Sequence, residues 1–138
     1  MSQPSHAPSP HGPGYWIGWG MSGLVIAFMV MDLTMKLLAL SVVTQASAAL
    51  GYPPSADFAR ELGVILLVCT LLYAAPRTAV LGAVLLTGFL GGAVASHLRL
   101  GDPLFTHVLF GVYLGLLLWG GLWLRDPRVR ALMPLRTS

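Results

Sequence analysis

The sequence predicts an all-α protein, an integral membrane bundle of four transmembrane helices, on three observations. Only 9% of the 138 residues are charged while 56% are hydrophobic, against roughly 25% charged in an ordinary soluble domain. Uncharged runs, above all residues 78 to 96, reach the length at which an apolar segment is read as a spanning helix. Proline, glycine and aspartate clusters interrupt the apolar sequence in the loops and divide it into four. So few charges cannot dress a water-facing surface, which excludes a soluble domain.

The chain divides into an amino-terminal tail over residues 1–14, a transmembrane domain over 15–126 and a basic tail over 127–138. The first tail holds four prolines, two histidines and no lysine or arginine, so it reads as disordered and lacks the basic start of a signal peptide. Span one runs from Tyr15 to Leu40. Span two runs from Phe58 to Ala75, after Gly51, Pro53, Pro54 and Asp57 have broken and restarted the helix. Span three follows Pro76 and continues from Thr78 to Leu98. Asp102 is expected as N-cap and Pro103 as first residue of span four, which ends near Leu124 before Asp126 and Pro127.

An even number of spans puts both termini on one side. That side then holds Arg77, Arg125, Arg128, Arg130 and Arg136, against Lys36, Arg60 and Arg99 on the other, which predicts cytoplasmic termini in a plasma or inner membrane. Trp16, Trp19, Trp119 and Trp123 would mark the same interface. The carboxy-terminal arginines read first as the topology signal and second as a site for anionic lipid. Gly88, Gly92 and Ser96 on span three, and Gly111 and Gly115 on span four, repeat at every fourth residue. Such stripes let helices approach closely, and the tight turn between spans three and four favours packing inside the bundle over contact between protomers. A homo-oligomer stays open.

Mapped by depth, the ionisable residues form one polar layer on the face opposite the termini: Asp32, Lys36, Arg60, Glu61, His97, Arg99, Asp102 and His107. Such groups face the bundle and find partners, because lipid penalises them. His107 shares a stripe with Gly111 and Gly115, and Lys36 shares one with Asp32, Met29, Val25 and Gly18. Lys36 and Glu61, on consecutive spans, are expected to pair. One reading of the layer is an ion-paired lock between helices; the other is a pocket for a polar headgroup or an exchangeable proton, with Asp32, Lys36, Glu61, His97, Arg99 and His107 as ligand-binding residues. His97 and His107 as haem or metal ligands, and the span-one methionines as a soft-metal path, rank below both. Cys69 has no second cysteine to pair with. No nucleophile–base pair, phosphate loop or nucleic-acid motif is present, so catalysis by this chain alone is not expected.

Between Leu50 and Arg130 a set of motifs follows in order: Leu50-Gly51-Tyr52-Pro53, Glu61-Leu62-Gly63, Arg77-Thr78-Ala79-Val80-Leu81-Gly82-Ala83, Gly91-Gly92-Ala93 followed by His97 and Arg99, His107, and Trp119 to Asp126. In these motifs the chain resembles the DoxX-like family of small membrane proteins. In span one, Lys36 sits where the family places a lysine, while Asp32 departs from its pattern. The resemblance implies a four-helix bundle and a link to quinone-coupled oxidation, with a quinone as the possible bound molecule and an oxidoreductase as partner. Other relatives look like assembly factors for membrane proteins. The readings carried forward are a quinone-binding accessory subunit, a noncatalytic assembly or stability factor, and a proton or solute pathway.

Overall fold

The computed structural model describes residues 11–135. Residues 1–10 of the expected tail, and Arg136 of the arginine count, lie outside that range. Six α-helices follow in order: α1 Pro13–Leu37, α2 Ser41–Ala49, α3 Ala56–Ala74, α4 Ala79–Leu100, α5 Phe110–Arg125 and α6 Pro127–Leu132, with a π-helical turn, Leu104–Val108, leading into α5. The four longer helices close a ring in which α1 packs on α3 and α5, and α4 packs on the same two.

Proline at the first turn starts α1, where a missing N–H costs nothing. Ser55 caps α3 by accepting from the Phe58 N–H at 3.2 Å. Gly101, in the left-handed region at φ 71°, ends α4 as glycine does best. Each helix turns one stripe inward. On α1 it is Gly18, Ser22, Val25, Met29 and Leu33; Leu66, Leu86 and Leu118 fill the centre from the other three.

Antiparallel neighbours fix the depth of every residue. Along α1 and α5, Gly18 meets Gly121 and Phe28 meets Phe110 at 5.2 Å between ring centroids. Between α3 and α4 the backbones nearly touch at Gly82, where any Cβ would meet Tyr73 N at 2.2 Å. The outward faces are as apolar as the core: Leu24 and Met31, Val64 and Leu71, Leu81 and Val84, Val112 and Leu116 are all exposed. Water penalises such a surface and lipid does not. Three helical segments, Pro13–Leu37, Ala79–Leu100 and Leu104–Arg125, are long and apolar enough to cross a membrane. α3 is 19 residues long and carries Asp57, Arg60 and Glu61 at its start.

Three sequence expectations are corrected. α1 ends at Leu37, and Ala39 turns the chain at φ 49° into α2, an unforeseen helix that buries Val43 and Ser47. Gly88 and Gly92 face outward, with nothing within 4 Å of an added Cβ; Gly111 does pack inward, against Val94 and Leu90. Pro103 takes the cap position before the π turn, which begins at Leu104, and the Asp102 carboxylate meets His97 instead.

Candidate functional site

The polar layer gathers at one end of the ring, opposite the helix ends that carry the first and last described residues, but it divides into separate groups. On α1, one turn apart, Lys36 donates to Asp32. Both side chains are half-buried, so the pair satisfies its charges within one helix. Glu61 is exposed on α3, on an open face shared with Asp57, Arg60, Val64 and Ile65. The expected Lys36–Glu61 contact is replaced by Lys36–Asp32, since an acid at i−4 on the same helix is reached without a second helix having to bring it.

Arg99 serves the chain fold. Its Nη2 donates to Leu50 O at 2.5 Å, closing the turn that follows α2. Nearby, Tyr52 and Ser96 hydroxyls meet at 2.6 Å. These two contacts fasten the α2–α3 connection to the end of α4.

The remaining group has the chemistry of a site. His97 Nδ1 lies 2.6 Å from Asp102 Oδ2 across the α4–α5 turn. A carboxylate is an acceptor, so with Nδ1 as the donor the contact orients the ring and turns its other nitrogen, Nε2, away from Asp102. The His107 ring stands edge-on at 5.7 Å between centroids, its Nδ1 2.8 Å from Thr106 Oγ1. The π turn decides this placement. Val108 and Leu109 donate back five residues, to Pro103 O and Leu104 O, so the helix gains a residue and His107 leaves the Gly111 face for an exposed position while Val108 takes the buried one. By the α1–α5 register, Asp32 and Lys36 lie level with this histidine pair. Among the described residues no cluster of three or more His, Cys, Asp or Glu side chains converges as a metal site.

A family model, the DoxX-like family, matches residues 20–121. The chain belongs to the DoxX-like family. No curated protein and no solved structure matches it. The matched region includes α1 from Gly20 onward, where the motifs were sparsest, and the whole polar layer.

Sequence reasoning missed a second polar centre in this DoxX-like protein, at the opposite end. Arg125, counted as a topology residue, is buried. Its Nε donates to Ser22 Oγ at 3.1 Å, Ser22 and Tyr73 hydroxyls meet at 2.9 Å, and Tyr73 donates to Leu118 O at 2.8 Å. The chain links α5, α1 and α3. Helical spacing held the signal, since Arg125 continues the buried stripe of Leu114, Leu118, Gly121 and Leu122.

Proposed function

We propose that this DoxX-like protein is a membrane subunit that binds the head of a small amphipathic, quinone-class molecule beside His97 and works with an oxidoreductase partner that carries the redox centre. The observation that carries this reading is the His97–Asp102 contact with His107 at its edge. A quinone head presents carbonyl acceptors and its reduced form hydroxyl donors; an imidazole held by a carboxylate can serve either by exchanging the proton on Nε2. The apolar outer faces of α4 and α5 give the tail a hydrocarbon path to the same point.

In this reading α3 is the fourth span. Its charges sit in its first two turns, and Val64, Ile65, Val68 and Leu71 expose an apolar stripe below them that continues the lipid-facing surface. The arginine bias puts both termini in the cytoplasm of a plasma or inner membrane and the histidine pair outside. A buried apolar centre of Val25, Met29, Leu66, Leu86 and Leu118 disfavours a water path through a single chain.

One observation favours a second reading, an assembly factor or homo-oligomer. The outward Gly88, Gly91 and Gly92 would let another transmembrane helix approach closely. The test is mild purification followed by solvent extraction and chromatography. Wild type is expected to retain a quinone that His97→Ala and Asp102→Asn lose. A copurifying membrane protein with no small molecule would reject the first reading for the second.

A further inference from the structure

The Arg125 centre is built as a site. The residue ends α5, yet its side chain turns inward and is 9% exposed. Its guanidinium carbon stands 4.1 Å from the Trp19 ring centroid and 5.4 Å from that of Tyr73. Ser22 takes Nε, but Nη2 is buried with no hydrogen-bond partner. The adjacent acid is engaged: Asp126 Oδ1 accepts from the backbone N–H and the Nε of Arg128, at 2.9 and 3.3 Å. Neutral hydroxyls and aromatic faces offset only part of the cost of burying a guanidinium, and a fixed anion is what its planar fork accepts best.

Arg125 lines a cleft of about 400 Å³ whose other walls include Tyr15, Trp19, Pro76, Leu122 and Arg128. Two arginines face it, and its one acid, Asp126, is spent on Arg128. The exposed indole of Trp16 and the half-buried indole of Trp19 flank this end, at the depth where tryptophans meet phospholipid headgroups. Of the lining residues only Pro76, Ala79 and nothing from α1, α5 or α6 fall within the family match at 20–121.

We propose that this cleft binds a phosphate-class oxyanion, carried by an anionic phospholipid headgroup or by free phosphate, with Arg125 as the inner charge and Arg128 as the outer one. The site is independent of the quinone-class reading, because it lies at the other end of the bundle. Binding there would tie α1, α5 and α6 together through Trp19, Arg125 and Arg128. Arg128 is 85% exposed, and its guanidinium can offer Nη1 and Nη2 to the ligand while Nε stays on Asp126.

The test uses the full chain in a phosphate-free sugar detergent at constant ionic strength. Inorganic phosphate and phosphatidylglycerol are titrated separately, while thermal unfolding and tryptophan emission are followed, with Trp19→Phe identifying the Trp19 signal. A saturable rise in Tm with a Trp19 response is expected for one of the two: phosphate if the ligand is soluble, phosphatidylglycerol alone if it is lipid. Arg125→Lys should weaken the response at least about tenfold, the loss expected for one charge-assisted hydrogen bond, and Arg128→Gln, an exposed change that leaves folding intact, should weaken it severalfold. No saturable response to either probe, or an unchanged midpoint in Arg128→Gln together with either an unchanged midpoint in Arg125→Lys or failure of that variant to fold, overturns the proposal.

Discussion

Gly82 is where the fold leaves least room, and Gly82→Ala tests the α3–α4 contact directly. The added Cβ would stand 2.2 Å from Tyr73 N, 2.5 Å from Tyr73 Cα and 2.6 Å from Leu72 C. Carbon atoms rest at about 3.5 Å or more, so the overlap is roughly 1 Å, and every obstacle is backbone that cannot rotate aside. Overpacking a tight contact costs about 1–3 kcal/mol, and rigid obstacles place this case at the upper end. Alanine's better helix propensity returns up to about 1 kcal/mol, leaving a net loss near 2 kcal/mol. The strain also reaches Tyr73, whose hydroxyl holds Ser22 and Leu118 O. Gly92→Ala is the matched control: the same change on the same helix, with nothing within 4 Å, so only propensity acts and the variant should be neutral or stabilised by up to about 1 kcal/mol. Unfolding in mixed micelles of rising dodecyl sulfate fraction, followed by helical circular dichroism, should separate the two variants by about 2–3 kcal/mol. Coincident unfolding curves would refute the close approach of α3 to α4.

Lys36→Met should cost about 1–3 kcal/mol, because it strands the half-buried Asp32 carboxylate beside water that softens the penalty; adding Asp32→Asn should recover most of the detergent-stable protein, and Glu61→Lys alone should be nearly silent. A loss for Glu61→Lys equal to that for Lys36→Met would restore the cross-helix pair. A reporter active only in the cytoplasm should work after Ser138, and one active only outside should work beside Ser55; the opposite pattern would invert the membrane orientation.

What was legible in the sequence was what hydropathy and helix breakers encode. The start of α3, both ends of α4 and the end of α5 follow from Gly51, Pro53, Pro54, Pro76, Gly101 and Pro127, whose backbone effects are local, whereas the start of α5 at Phe110 did not. The inward stripe of α1 was partly readable too, since Gly18, Val25 and Met29 are buried as their spacing with Lys36 suggested. Which side of a uniformly apolar helix meets its neighbours was not readable. Gly88 and Gly92 are as small as Gly82 and Gly111, yet only the latter two face a partner backbone, because lipid and protein interior accept the same residue types and hydropathy cannot tell them apart. The burial of Arg125 was missed for the converse reason: a charge near a helix end has water or the bundle within reach, and the choice is made by Trp19 and Ser22 on a helix a hundred residues away in sequence.

The π turn shows how one residue of backbone geometry decides the site. With regular α-helical spacing from Gly111, His107 would lie one turn earlier on the same face, and that face meets Leu90 and Val94 so closely that even a methyl at Gly111 would stand 2.8 Å from Val94 Cγ2. An imidazole directed there would bury its nitrogens against hydrocarbon without partners, a cost the fold avoids. The extra residue in Leu104–Val108 rotates the turn, so Val108 enters the core and His107 swings out beside Thr106 and His97. The same insertion frees Asp102 from capping the helix, and its carboxylate reaches His97 instead. A regular helix would have spent Asp102 on its own N–H groups and hidden His107. The irregular one leaves a carboxylate-held imidazole with a second imidazole at its edge, both within reach of the polar boundary, and it is this arrangement, more than the number of ionisable residues in the layer, that favours ligand binding over a structural lock.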